Sequence, residues 1–287
     1  MPARGLSSML ARINGELILF DCGEGTQVAI KKSGYGFKNI KAIAFTHYHA
    51  DHISGLPGLL HAIRESGRTE DLYIFGPPRL THIINCLRVI VPDLSYKIIY
   101  CEEIKKFDLF YNVELSALEV DHSETCYAYC LKLRRAGKFD PEKAKNVPMK
   151  AWSRLQKGEN YEIDGKIYSP DTVLGPERKG VKLCFCTDSR PTKQMPDFFS
   201  QADLLILEGL YGDPALVKKA AARKHMVFTE AAKIAKAAAV KRLWLTHFSP
   251  SMPNPKEYIF YARDIFKNTR TGKDLMSITL DFEEDNA

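Results

Sequence analysis

Residues 47–52 read His47-Tyr-His49-Ala-Asp51-His52, three imidazoles and one carboxylate in six positions, directly after an apolar run at residues 40–45. No other stretch limits the chain so tightly. Imidazole nitrogen and carboxylate oxygen are preferred donors for zinc and related divalent cations. At an extended strand end, residues two apart point the same way. His47 and His49 can therefore share one ion, while Asp51 and His52, further round the turn, can face a second. The chain has only eight histidines. Three in one hexapeptide argue for a built site over a scatter of solvated side chains.

The surrounding pattern sets the fold class. Short apolar runs alternate with loops and helical patterns along the whole chain. Strands are predicted at residues 16–20, 40–45, 72–75, 98–100, 113–120, 126–133, 182–186, 204–207, 242–245 and 276–282. Helices are predicted at residues 26–32, 59–64, 79–91, 229–239 and 257–266. This order argues for a layered α/β protein. Five strands stop at an acidic or metal-binding residue: Asp21, His47, Asp188, Glu208 and His247. Active sites of open α/β sheets gather at strand ends. A composition of 45% hydrophobic and 26% charged residues over 287 positions is that of a globular chain. The longest apolar runs fall far short of the ~18 residues a membrane span needs. No apolar stretch follows Met1-Pro-Ala-Arg as in a signal peptide. Seven cysteines, at 22, 86, 101, 126, 130, 184 and 186, lack C-x-x-C spacing. They are expected to be reduced, mostly buried thiols of a cytoplasmic protein without a membrane partner.

A pair of ions needs further donors. His122 in Val120-Asp-His-Ser, Asp188 in Cys186-Thr-Asp-Ser, and His247 in Leu245-Thr-His-Phe-Ser-Pro are the candidates. Each alone is weak, since a single histidine is more often a satisfied structural residue. Together with the hexapeptide they make five histidines and two aspartates. If one aspartate bridges, each ion gains four protein contacts. Asp21 is expected to hydrogen-bond the ligand loop. His61 and His82, on helices, are read as structural.

His47-x-His49-x-Asp51-His52, then His122, Asp188 and His247, in this order, resembles the metallo-β-lactamase superfamily. Within it the chain is similar to the ribonuclease Z family, endonucleases that trim the 3′ trailer of precursor tRNA. The segments carrying this are Phe20-Asp-Cys-Gly-Glu-Gly-Thr-Gln27, residues 45–58, Ile74-Phe-Gly-Pro-Pro78, Gly137-Lys-Phe-Asp140, Leu155-Gln-Lys-Gly-Glu159, Cys186-Thr-Asp-Ser-Arg-Pro191 and Leu245-Thr-His-Phe-Ser-Pro250. The resemblance implies a single αββα sandwich over residues 1–287, two mixed sheets flanked by helices, with a protruding basic arm inserted at 134–166. It implies two zinc ions, with manganese or iron as alternatives. His47, His49 and His122 would hold one ion, Asp51, His52 and His247 the other, and Asp188 would bridge. It implies a homodimer, the arm of one subunit presenting tRNA to the site of the other. Family members open with a strand and a glycine-rich turn ahead of the segment that here starts at Met1-Pro-Ala-Arg, so this chain is expected to lack that strand. The Gly-Pro pair frequent in the family's arm is also absent, the chain reading Asn146-Val-Pro-Met-Lys-Ala-Trp152.

Zinc lowers the pKa of bound water to about 7, making water a nucleophile for a phosphodiester. Asp51 is the expected proton acceptor. His225 is the expected proton donor to the leaving 3′-oxygen, with Glu208 orienting it, a pairing the resemblance supports. The expected products are a tRNA 3′-OH and a trailer 5′-phosphate. The chain carries a net charge of +6. Residues 131–166 hold ten Lys/Arg against five Asp/Glu, a surplus of five. Apolar residues there are sparse, so little burial is expected. Lys138, Lys143, Lys145, Lys150, Arg154 and Lys157 are candidate contacts to RNA phosphates. Thr187, Phe248 and Ser249, beside the ligands, are candidate phosphate contacts. The competing readings are a metal-dependent phosphodiesterase or arylsulfatase-like hydrolase on the same fold, and an inactive RNA-binding protein.

Overall fold

The computed structural model describes residues 4–110 and 112–283; the opening Met1-Pro-Ala lies outside them. Two sheets form. The first runs β1 (Met9–Ile13), β2 (Glu16–Phe20), β3 (Ile40–Ala44), β4 (Leu72–Gly76) and β5 (Ile98–Glu102), in that spatial order. β1 and β2 are antiparallel and the rest parallel. The remaining strands are β6 (Lys106–Phe110), β7 (Val113–Val120), β8 (Cys126–Arg135), β9 (Tyr161–Ile163), β10 (Lys166–Tyr168), β11 (Arg178–Cys186), β12 (Leu204–Glu208), β13 (Leu243–Thr246) and β14 (Thr269–Thr271). β9 and β10 form a small hairpin. The others form the second sheet, in the order β14-β13-β12-β11-β8-β7-β6.

The α-helices are α1 (Thr26–Lys32), α2 (Ala50–Ile53), α3 (Leu56–Glu65), α4 (Leu80–Leu87), α5 (Pro141–Ala144), α6 (Met149–Gln156), α7 (Met195–Phe198), α8 (Val217–Ala222), α9 (Phe228–Ala237) and α10 (Ile259–Arg263). Strand alternation assembles the layers. In β2, Leu17 and Leu19 face α1, α3 and α4, while Ile18 and Phe20 face the second sheet. In β12, Leu205 and Leu207 face α7, α9 and α10, while Leu204 and Ile206 face the first sheet. Both faces of these two strands are thus buried, which gives the unbroken apolar runs read there from the sequence. The result is a four-layer αββα sandwich.

Several expectations are corrected. The β1–β2 hairpin was not predicted. Its signal is Asn14-Gly15, with φ of +52° and +91°, the pair that closes a two-residue hairpin turn. Residues 276–282 are not a strand. β14 pairs with β13 in their place, and Met276 and Leu280 contribute side chains to the inter-sheet core without ladder bonds. Cys130 and Cys184, expected as thiols, form a disulfide because β8 and β11 place them directly opposite. The basic segment runs out from β8 and returns into β11, spanning residues 136–177. It does bury a small core, formed by Ala144, Val147, Ala151, Leu155, Ile163, Val173 and Leu174. Phe139 packs on Trp152 with ring centroids 5.0 Å apart, and Trp152 Nε1 donates to the Val147 carbonyl.

One close approach holds the hexapeptide against β2. Cys22 N–H donates to the His52 carbonyl at 2.7 Å, and Gly55 N–H to the Cys22 carbonyl at 2.8 Å. A Cβ on Gly55 would lie 2.2 Å from the Gly23 carbonyl oxygen, and backbone cannot yield as a side-chain tip can. Gly55→Ala is expected to lower unfolding free energy by about 1–3 kcal/mol, read from urea denaturation, and to reduce bound metal in the purified protein.

Candidate metal centre

The site lies where strands of both sheets end. Asp21 follows β2, His47 follows β3, His122 follows β7, Asp188 follows β11, Glu208 ends β12 and His247 follows β13. His49, Asp51 and His52 sit on the turn into α2. Asp21, Asp188 and His247 all have positive φ, at +55°, +41° and +55°. Left-handed backbone in non-glycine residues costs about 1–3 kcal/mol each and clusters at functional sites. Here it turns each strand end sharply enough to aim the side chain back across the sheet edge.

The side chains fall into three overlapping groups. His47, His49, His122 and Asp188 bring one ligand atom each to within 4.8 Å of one another, as do Asp51, His52 and His247, and as do Asp188, His225 and His247. Asp188 stands between the first two. Its Oδ2 is 3.8 Å from His47 Nε2 and 3.9 Å from His122 Nε2. Its Oδ1 is 3.4 Å from His52 Nε2 and 3.2 Å from His247 Nε2. Asp51 Oδ2 lies 3.6 Å from the Nε2 of both His52 and His247. His52 Nε2 and Asp188 Oδ1 are buried and have no hydrogen-bond partner. Such atoms are rare unless a cation or water satisfies them. Nitrogen and oxygen donors in this arrangement fit divalent metal.

A supporting layer orients the rings. Asp21, fully buried, accepts from His52 Nδ1 at 2.7 Å, from the Thr46 N–H at 2.8 Å and from the Thr46 hydroxyl at 3.0 Å. With its proton given to Asp21, Thr46 Oγ1 accepts from His47 Nδ1 at 3.0 Å. One carboxylate therefore turns the Nε2 lone pairs of both His47 and His52 toward Asp188. The Lys224 carbonyl accepts from His122 Nδ1 at 3.3 Å. His49 is reversed. Its Nδ1 faces His47 Nε2 at 2.9 Å, while its Nε2 lies 3.7 Å from Glu124, whose carboxylate also accepts the Tyr48 N–H at 3.0 Å.

The charges follow these contacts. Burial, with help from His52, drives the His47 imidazole down to about 2, so it is neutral. Burial also disfavours the charged form of His247, but Asp188 and Asp51 outweigh it and raise its pKa to about 9. The His247 hydrogen bond, aided by the charge of His52, holds Asp51 below the usual carboxylate range. Burial raises the Glu208 pKa, opposed by its hydrogen bond to His225.

His225 and Glu208 flank this centre. Both Glu208 oxygens lie 3.2 Å from His225 Nδ1. The His225 ring stacks on His247 at 5.6 Å and lies 5.3 Å from His122. Sequence reasoning passed over Thr46, Glu124, Arg190 and Glu230. Thr46, Glu124 and Arg190 each adjoin or closely follow a candidate ligand, which was the available signal. Glu230, whose partner Arg190 is forty residues away, left none.

The profile of the Metallo-beta-lactamase superfamily matches residues 2–84. Ribonuclease Z of Clostridium kluyveri is 48% identical over 289 residues, covering 99% of this chain and 95% of that protein. Ribonuclease Z of Lachnoclostridium phytofermentans is 45% identical over 288 residues with the same coverage of both. The chain belongs to the ribonuclease Z family. The crystal structure of the short form of human tRNase Z shares its fold, with a TM-score of 0.70 at 24% identity over 98% of this chain and 95% of that one.

Against the ribonuclease Z frame, the other expected site residues divide. Lys138, Lys143, Lys145, Lys150, Arg154 and Lys157 are all exposed on the arm. Lys143 spends its ammonium on the Leu174 carbonyl at 2.8 Å, Lys145 pairs with Glu142, and Arg154 lies over the Tyr161 ring. Thr187 is a correction. It is fully buried behind the ligands, 3.4 Å from the Thr46 hydroxyl, and cannot touch substrate. Ser249 is also buried, its hydroxyl paired with Ser251 at 2.8 Å, and Phe248 packs against Phe228. His61 and His82 lie exposed on α3 and α4, outside all three ligand groups. Asp21→Asn is expected to weaken metal binding about 10–100-fold, measured by chelator competition, with circular dichroism unchanged.

Proposed function

We propose that this protein is a zinc-dependent endoribonuclease that removes the 3′ trailer of precursor tRNA. It would act in the cytoplasm as a homodimer whose arm grips the tRNA cut in the partner's site. The observation carrying the chemistry is the sharing of Asp188 by two ligand groups with a histidine–glutamate pair at their flank. The tRNA substrate rests on the full-length likeness to ribonuclease Z relatives and on the exposed cations of the arm.

In this reading His47, His49 and His122 would hold one zinc ion, Asp51, His52 and His247 would hold a second, and Asp188 would be available to both. Bound there, the pair supplies Lewis acidity to the phosphate and a water acidic enough to react near neutral pH. Asp51 is half-exposed toward substrate and stays ionised, so it can take the proton that water loses. The oxygen of water bonds to phosphorus as the P–O3′ bond breaks in line. His225 gives a proton to the departing 3′-oxygen, leaving a 3′-OH on tRNA and a 5′-phosphate on the trailer. Glu208, accepting from Nδ1, stabilises the imidazolium and points the opposite ring nitrogen outward.

End-labelled precursor tRNA, incubated with and without chelator, tests the reading. A single cut at the trailer, abolished by chelator and leaving a 3′-OH, supports it. No cut, or a cyclic phosphate end, overturns it. His225→Ala is expected to keep the zinc content of the wild type and lose about 10²–10³-fold in turnover. Reversing Lys150, Arg154 and Lys157 to Glu should raise KM for precursor tRNA and flatten its salt dependence. Hydrolysis of a small phosphodiester should change little.

A further inference from the structure

The bonds from His225 to Glu208 do not by themselves place the imidazole, because a histidine side chain turns with its own backbone. That backbone is held by a second network. Arg190 lies two residues after Asp188. Its guanidinium pairs in a two-pronged fork with Glu230, Nη1 to Oε2 at 2.9 Å and Nη2 to Oε1. Both side chains are mostly buried, at 19% and 16% exposure. Arg190 Nη1 also donates to the His225 carbonyl. Glu230, in the first turn of α9, accepts the Val227 N–H at 3.0 Å. Arg190 N–H donates to the Asp121 carbonyl at 2.9 Å, and Asp121 pairs with Lys224 at 2.7 Å. The loop carrying His225 is thereby pinned on both sides of it, to the segments that carry Asp188 and His122.

A mostly buried ion pair contributes little net stability, since desolvation offsets its attraction, so the worth of this one lies in the geometry of its contacts. We propose that Arg190, held by Glu230, is a positioning residue for the proton donor. It fixes the His225 main chain so that the imidazole delivers its proton at the leaving oxygen. This rests on the role given to His225 above. Arginine suits the task because one planar fork engages a carboxylate and a carbonyl together, which lysine cannot do.

The test is leaving-group dependence. Arg190→Met keeps the bulk and removes the fork. Wild type and variant are compared on precursor tRNA and on aryl phosphodiesters graded from p-nitrophenyl to phenyl. A p-nitrophenolate departs as an anion, whereas phenolate and a ribose oxygen need the proton. The expected loss is about 10–100-fold on precursor tRNA and the phenyl diester. On the p-nitrophenyl diester it is within about threefold, with zinc content unchanged. Glu230→Gln, which keeps an acceptor for Arg190, is expected to shift the same ratio by a smaller amount. It also serves where Arg190→Met fails to fold. An equal loss on every leaving group, or no loss on any, overturns the proposal. If the wild type leaves precursor tRNA uncut, the substrate reading fails, and the aryl series still decides the positioning role.

Discussion

Asp188 is a buried carboxylate with four imidazole nitrogens within 4 Å and one oxygen without a protein hydrogen bond. Such a group is costly to bury unless charge compensates it. Each of its oxygens serves a different set of ligands, so its position decides whether two sites exist or one. Asp188 is reached only if β11 ends where it does. The left-handed turn at the residue itself then directs the carboxylate between the two groups.

The sandwich meets that requirement by common direction. β2 and β3 in one sheet and β7, β11, β12 and β13 in the other all run toward the same edge. Six separate segments therefore deliver polar side chains to one place, while strands such as β2 and β12 behind them stay apolar on both faces. Each buried Leu, Ile or Phe is worth about 1.5–3 kcal/mol. The many such residues in the two helix-facing layers and the inter-sheet core offset the strained turns and the desolvated ligands. Asp21 and Thr46 extend the rigidity one layer outward, since a ring whose far nitrogen is bonded cannot rotate away from its metal. Arg190 and Glu230 extend it to the loop that carries His225.

The ligands were legible because they crowd into short motifs at the ends of apolar runs. The α/β layering was legible because central strands are apolar on both faces. The Asn14-Gly15 hairpin carried a local signal that was passed over. Residues 276–282 carried a false one, since alternation suits any extended segment that packs on one side. The pairing of Cys130 with Cys184 and the arm's core depend on contacts between distant positions. No local pattern announces those.

The sequence by itself determined the donor set, the order of its members and the concentration of positive charge between residues 131 and 166, because these are matters of residue type and spacing. Only the tertiary structure decided which histidine nitrogen faces inward. It also decided that Asp188 divides its two oxygens between the groups, that Thr187 is sealed from substrate, and that Arg190 reaches the His225 carbonyl. Each of these is a distance or an orientation between segments far apart in the chain. Such quantities come into being only when the two sheets pack.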